Sequence, residues 1–308
     1  VNKNYLQDEI EQITKESKLF EISNLEAFCA PAAKIPNLLT EIGRKREITF
    51  RKVGEGTNKS IDLDEYDKYF DHLFLWDRQE REIIGSYRIG LGKKILASLG
   101  KKGFYISSLF RIKNELITTL EQSIELGRSF IVPEYQQKGL PLFLLWKGIL
   151  YFLIKNRNYR YLIGPVSISN EYSDFSRQLI VEFFRSFHLE SRLSKLVRPK
   201  HKFNPKLKEL DLSVILGLIN NNIAELDRYV KETDPLNKPI PVLFKKYIKH
   251  NAKVIRFNLD PEFNNCLDGL MILDLHEFPT DVIKTLSEEI EDKELLSFFN
   301  RRKELIEQ

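Results

Sequence analysis

The chain has 308 residues, enough for one large domain or two small ones with a substantial core. Hydrophobic residues make up 42% and charged residues 30%, a balance that excludes a disordered chain and fits a soluble globular one. A formal charge of +4 from 48 Lys/Arg against 44 Asp/Glu does not mark a nucleic-acid binder, and two cysteines, Cys29 and Cys266, are too few for a disulfide scaffold.

The N-terminal segment carries Lys3, Asp8, Glu9 and Glu11, so it does not read as a secretory signal. Residues 4–16 are expected to form a short surface helix. Leu19–Ile22 and Leu25–Ala30 read as two strands around a turn at Ser23-Asn24. An amphipathic helix is expected over 36–51, started by Pro36 and ending in Arg44, Lys45, Arg46 and Glu47. The loop Gly54–Asn58 leads into an acidic stretch with seven carboxylates between Glu55 and Asp77, against Lys59 and Lys68. Tyr69–Trp76 and Glu82–Leu91 then read as an antiparallel hairpin.

A small helix at 93–99, a segment at 104–110 and a helix near 115–122 precede the stretch on which the chain turns. Ile124, Leu126 and Phe130–Val132 alternate as a strand, and Pro133 stops it because proline cannot donate to a ladder. A polar loop over 134–139 follows, and Pro141 opens an apolar helix through Ile154. Such a helix N-terminus offers N–H donors and a partial positive charge to a phosphate. Glu125 and Arg128 lie in the strand just before it. The helix is shorter than the roughly 20 residues a membrane span requires, so it reads as buried.

Beyond it, 159–169 is a strand ending in Gly164-Pro-Val-Ser-Ile-Ser-Asn170, and 175–187 an amphipathic helix. From Arg192 to Lys208 there are seven Lys/Arg and no carboxylate, which suits either an acidic partner or a solvated linker. Two short helices over 212–231, a helix over 242–250, strands at 253–258 and 269–275, and charged helical residues from Asp281 complete the chain. The mixture of helices with hairpin-connected strands favours a mixed α/β sheet. The five histidines are scattered without metal-ligand spacing, so no metal is expected. No G-x-S-x-G elbow or P-loop is present in the sequence.

At Gln136-Gln-Lys-Gly139-Leu-Pro141 the chain resembles the acyl-donor loop of the GNAT-type N-acyltransferases, with Pro141 in place of the last small residue. Arg46-Glu-Ile-Thr-Phe50, Asp64-Glu-Tyr-Asp67, Gly85-Ser-Tyr-Arg88 and Glu125-Leu-Gly-Arg128 resemble, in order and spacing, the set shared by acyl-homoserine-lactone synthases. Gly164–Asn170 and Phe263–Leu270 are more similar to the ornithine-lipid and glycine-lipid N-acyltransferase group, often labelled hemolysin-like. The resemblance implies a GNAT-like α/β (α+β) fold: a mixed, mostly antiparallel twisted sheet flanked by helices, with a C-terminal strand-helix extension. It implies three regions: a helical lead-in over 1–18, the N-acyltransferase domain over 19–280 and a helical tail over 281–308. Some relatives carry a preceding O-acyltransferase domain, and a chain that begins with Val1 is expected to be a piece of such a protein.

The implied reaction moves a fatty acyl group, 3-hydroxylated or not, from acyl carrier protein to the amine of an amino acid, giving a lyso-amino-acid lipid. No cofactor is permanently bound; the co-substrate is a phosphopantetheine thioester, acyl-ACP or acyl-CoA. The expected location is cytoplasmic, with peripheral contact at the inner membrane as a further option. Two alternatives stand beside this: a non-catalytic module that binds acyl carrier protein, and a CoA-dependent acetyltransferase for a small amine.

Amine acylation needs a neutral nitrogen, a polarised thioester carbonyl and a proton for the leaving thiolate. Glu125 is expected to take the amine proton or else to sit in a structural ion pair with Arg128 or Arg88. Both arginines are expected to hold carboxylates in place. Asp64 and Asp67, with Asp62, bind the substrate ammonium, order a covering loop, or form a solvated acidic loop. Arg46 pairs with these carboxylates or with the carboxylate of the acceptor. Tyr172 either protonates the thiolate or is a buried tyrosine with a backbone partner. Gln136, Gln137, Lys138 and Gly139 are expected to bind the acyl donor.

Overall fold

The computed structural model describes residues 1–205 and 211–289. In chain order the first half forms α1 (Lys3–Ser17), β1 (Lys18–Ile22), β2 (Leu25–Pro31), α2 (Pro36–Lys52), β3 (Asp71–Asp77), β4 (Glu82–Leu91) and α3 (Gly92–Leu99). Next come β5 (Phe110–Ile112), β6 (Ser123–Ile131), α4 (Leu140–Lys155), β7 (Tyr161–Ile168), α5 (Asp174–Phe187) and β8 (Val197–Pro199). The chain continues as α6 (Ser213–Ile219), α7 (Ile223–Thr233), α8 (Val242–Lys249), β9 (Lys253–Asp260), β10 (Cys266–Asp274) and α9 (Thr280–Glu289). The two-layer pattern of antiparallel strands covered by helices is the GNAT-like α/β architecture anticipated above.

These elements gather into two compact units. The first takes residues 1–105, 124–159 and 262–264. Its strands run β1-β2-β3-β4-β6, each pair antiparallel. Helix α4 packs across this sheet and is apolar but for Lys147 and Lys155, with Leu144, Leu145, Trp146, Ile149 and Leu153 buried. Gly148 sets the depth of that contact, because a Cβ there would lie 2.8 Å from Leu73. Among the described residues no helix is long and apolar enough to cross a membrane.

Helix α1 was expected at the surface, yet one of its faces is buried through Leu6, Ile10 and Ile13. Its Glu9 is buried too, because it serves the N-terminus of α2: Oε1 accepts from the Asn37 N–H at 2.8 Å and Oε2 from the Leu38 N–H at 2.9 Å. A carboxylate there satisfies two N–H groups that the helix cannot pair itself. The segment after Pro133, expected as a loop, instead begins with a helical turn over Pro133–Gln136.

The second unit takes residues 106–123, 160–261 and 265 onward. It holds the antiparallel sheet β7-β10-β9 and the two-stranded pair β5-β8. Asp268 on β10 stands opposite Ser167 on β7 and accepts from its hydroxyl at 2.7 Å. Of the expected basic run, Arg192, Lys195, Arg198, Lys200 and Lys202 are exposed. Lys206 and Lys208 lie outside the described residues, as does the helical tail beyond residue 289.

Candidate active site

The first unit concentrates buried charge where α2, the 61–67 loop, β4 and β6 meet. Gly43 allows the loop to reach the helix. A Cβ there would lie 2.6 Å from Ile61 and 2.7 Å from Leu63, and the Asp62 N–H donates to the Gly43 carbonyl at 3.1 Å. One helical turn on, Arg46 meets the carboxylates that the loop delivers. Its Nη1 and Nη2 grip Asp67 at 3.1 and 2.8 Å, its Nε lies 2.9 Å from Asp62 Oδ2, and Nη2 also donates to the Asp62 carbonyl. The guanidinium is 1% exposed. A two-pronged contact of this kind holds arginine in one geometry.

Asp64 and Asp67 close the loop on each other. The Asp64 N–H donates to Asp67 Oδ2 at 2.8 Å, while Asp64 Oδ1 accepts from the N–H groups of Tyr66 and Asp67 at 2.9 and 3.2 Å. Arg88, entering from β4, reaches Asp64 at 2.5 Å and Asp67 at 3.3 Å. Burial by itself would raise the Asp67 carboxyl, but the Arg46 and Arg88 guanidiniums more than offset it and hold it well below the usual carboxylate range. Behind the loop His72 is fully buried, with Nε2 2.9 Å from the Asp67 carbonyl. A carbonyl only accepts, so Nε2 carries the hydrogen. Burial lowers the imidazole to about 4 and keeps it neutral.

Strand β6 brings Glu125 and Arg128. In an unbroken strand, residues three apart point to opposite faces. The ladder is interrupted here: Arg88 pairs with Gly127 while Ser86 pairs with Phe130, which leaves two residues of β6 against Tyr87. Arg128 takes a left-handed backbone, φ 50°, inside that bulge. Its guanidinium thereby joins the Arg88 side, 3.3 Å from Asp62 and 3.6 Å from Asp64. Glu125, 1% exposed, accepts from the Tyr105 N–H at 3.0 Å.

Aromatic rings complete the enclosure. Arg88 lies over Tyr66, Phe70 and Tyr105 at 5.5, 5.3 and 5.1 Å, and Arg128 over Tyr105 and Phe263 at 4.9 and 4.7 Å. The cluster joins three guanidiniums, of Arg46, Arg88 and Arg128, to the carboxylates of Asp62, Asp64 and Asp67, with Glu125 as a fourth. Sequence reasoning reached the charged members through their spacing. It missed Tyr105 and Phe70, which carry no pattern of their own and are recruited by contact; Tyr66 and Phe263 lie within stretches that carry the resemblance, but only the fold sets their rings against the arginines. Glu47, left without a role above, accepts from the Thr57 and Asn58 N–H groups and ties down the 54–58 loop.

The other expected residues fall as follows. Gln136, Gln137, Lys138 and Gly139 are exposed between β6 and α4. Gln136 Nε2 donates to the Ile131 carbonyl at 2.8 Å, and Lys138 lies over the Tyr135 ring at 4.1 Å. The Tyr135 hydroxyl donates to Asp77 at 3.0 Å and moors the segment to the end of β3. Gly139, φ 64°, is the N-cap of α4, and Pro141 occupies its first turn. Tyr172, in the second unit, donates its hydroxyl to the Pro239 carbonyl at 2.6 Å. Arg46, offered above two kinds of partner, is occupied by Asp62 and Asp67.

Residues 46–146, which span the whole of this cluster except Phe263, match the family described as Acetyltransferase (GNAT) domain. A glycine N(alpha)-acyltransferase of Bacteroides thetaiotaomicron is 30% identical over 84% of this chain and 80% of its own length. An L-ornithine N(alpha)-acyltransferase of Agrobacterium fabrum is 32% identical over 36% of this chain and 39% of its own length. Among solved structures, the AHL synthase LasI aligns over 53% of this chain and 79% of that chain, with TM-score 0.35 and 12% identity. Similarity at that level to a glycine N(alpha)-acyltransferase, over most of both chains, places this chain in the GNAT-type N-acyltransferase family and makes it an acyltransferase.

Proposed function

We propose that the enzyme transfers a fatty acyl group from a phosphopantetheine thioester, acyl carrier protein or coenzyme A, to the amine of an amino acid, and that the product is a lyso-amino-acid lipid. The observation that carries the reading is the convergence of buried Glu125 with Arg88 and Arg128 on one charged cluster, on the strand that leads to α4. Arg46, Arg88 and Arg128 hold the loop carboxylates in place. A desolvated carboxylate attracts an ammonium and can take its proton.

In this reading Glu125 is the base, oriented by the Tyr105 N–H, and the arginines hold the loop that shapes the amine site. The donor lies along β6 with its phosphate near the N-terminus of α4, where Gly139 is exposed and offers no side chain to block the approach. The exposed basic residues Arg192, Lys195, Arg198, Lys200 and Lys202 suit an acidic surface, either a carrier protein or anionic lipid headgroups.

The test incubates purified protein with acyl-ACP or acyl-CoA and glycine, ornithine or lysine, and reads the amide by mass spectrometry. Amide with at least one amino acid is expected. Absence of amide with every amino acid, alongside acylation of simple amines from acetyl-CoA, would replace the reading by a small-amine acetyltransferase.

A further inference from the structure

We propose that the surface built by α3 and the turn after it docks the enzyme on an anionic lipid bilayer, with Leu99 entering the acyl boundary and lysines on both sides meeting headgroup phosphates. The inference goes beyond the acyl-transfer reading and does not depend on it. Between Glu82 and Glu115 the sequence holds no carboxylate side chain, and Lys93, Lys94, Lys101 and Lys102 fall within one short piece of that stretch. Lys93 and Lys94 sit in the first turn of α3 and are exposed. Cations there oppose the helix dipole, so helix stability does not account for them. Gly100, φ 62°, ends the helix, and the 3₁₀ turn over Gly100–Gly103 folds back on it. A Cβ on Gly103 would lie 2.7 Å from Ile95 and from Leu99, so Lys101 and Lys102 return beside the helix that carries the first pair.

Between the two lysine pairs the surface is apolar. Leu99 is 48% exposed, and Ala97 is exposed with it. The Tyr69 hydroxyl donates to the Gly103 carbonyl at 2.8 Å, which pins the turn and sets a 40% exposed ring against it. Two carboxylates border this surface, Glu65 beside Tyr69 and Asp71 within electrostatic range of Lys94, and the four lysines outnumber them. An apolar side chain flanked by lysines, with an amphipathic tyrosine at its edge, has the make-up of an interfacial anchor. The lysine stems follow the leucine down while their ammonium groups stay at the level of the phosphates. A protein partner asks for more: a stable interface covers about 800 Å² on each side, which a two-turn helix and one tight turn do not supply. A fluid anionic headgroup layer needs only the charge and the apolar tip.

The surface also stands next to the charged cluster. Tyr69 lies 6.1 Å from Tyr66, whose ring lies 5.5 Å from the Arg88 guanidinium. Docking by this face places the cluster one aromatic layer behind the contact with lipid.

The experiment is co-sedimentation of the purified protein with vesicles of phosphatidylcholine alone, or of equal parts phosphatidylcholine and phosphatidylglycerol, at low and at physiological salt. Wild type should bind the anionic vesicles at least about tenfold more tightly than the neutral ones, with affinity falling as salt rises. The combined variant Lys93→Gln, Lys94→Gln, Lys102→Gln should weaken that binding by about 100-fold, from about fivefold per lysine. Leu99→Ser should weaken it by about fivefold without changing the salt dependence. Leu99→Trp should keep the binding, and its emission should move to shorter wavelength as the indole enters lipid, against a background of buried Trp76 and Trp146. Wild type that stays in the supernatant with anionic vesicles overturns the proposal, as does binding that the lysine and serine variants both retain. Loss in the lysine variant with none in Leu99→Ser reduces the surface to an electrostatic patch and overturns the insertion of Leu99. A larger loss from Lys195→Gln, Lys200→Gln, Lys202→Gln than from the α3 lysine variant moves the anchor to the second unit and overturns it too. Variants that keep vesicle binding but lose affinity for apo-acyl carrier protein would make this a protein-docking face instead.

Discussion

Neutral His72 at the back of the loop makes the first unit sensitive to mild acid. Its pKa lies at about 4 against 6.5 for the exposed residue, chiefly because burial disfavours the imidazolium. Between those values the unfolded chain binds a proton that the folded chain refuses, so stability is full above about pH 6.5 and falls as pH drops toward 4. Linkage over that interval gives a loss of about 2.5 kcal/mol between pH 7.5 and pH 4.5 from this residue. Asp67 does not confuse the measurement, because its carboxyl is held so low that its own contribution is lost only below about pH 4. The assay is urea unfolding followed by tryptophan fluorescence. Both tryptophans, Trp76 on β3 and Trp146 on α4, lie in the same unit as His72, so the signal reports that unit. The comparison is with His72→Gln, which keeps an N–H donor near the Asp67 carbonyl but cannot titrate. With an m-value of about 2.5 kcal/mol/M, the wild-type midpoint should drop by about 1 M more than that of the variant over the interval. His250, also lowered to about 4 by burial, is common to both proteins and cancels. Parallel curves for the two proteins would refute the reasoning, since they would mean that His72 is protonated or solvated when folded.

Three further outcomes follow from the cluster. Glu125→Gln, of nearly the same shape, should lower kcat by about 10²-fold or more in amide formation while leaving the melting temperature within a few degrees; activity within threefold of wild type would remove Glu125 as the base. Arg46→Met leaves Asp62 and Asp67 buried without a guanidinium between them, so urea unfolding at neutral pH should show a loss of about 3–5 kcal/mol, and a loss below about 1 kcal/mol would contradict the burial of this pair. Gly90→Ala would place a Cβ 2.3 Å from the Phe70 ring, which also packs on Arg88, so it should cost about 1–3 kcal/mol and reduce activity. Adding Phe70→Leu to make room should recover stability, measured by urea unfolding, but not the full rate.

The local elements were legible because they depend on near neighbours. The apolar run of α4 marks it as a largely buried helix, although Leu140 and Phe143 in its first turn stay exposed, and proline stops β6 and opens α4 regardless of what surrounds them. The β3–β4 hairpin follows from alternation and a polar turn, although β3 begins at Asp71, two residues beyond the expected start. The charged members of the site were legible through spacing that resembles a family, which names residues without saying how they touch.

What only the tertiary structure decided are contacts between distant segments. Arg46 has its partners 16 and 21 residues away, in a loop that approaches α2 only because Gly43 lacks a side chain. Alternation would send Arg128 away from Glu125, and it is the mismatch between β4 and β6 that turns its backbone left-handed and brings it back. Tyr105 belongs to no motif, and its part in the site arises from where the chain returns after α3. Periodicity records which face of an element is buried, since hydrophobic burial is a local average. A bulge, a close approach at glycine and a ring between two arginines depend on the register of one strand against another, and that register exists only once the sheet has formed.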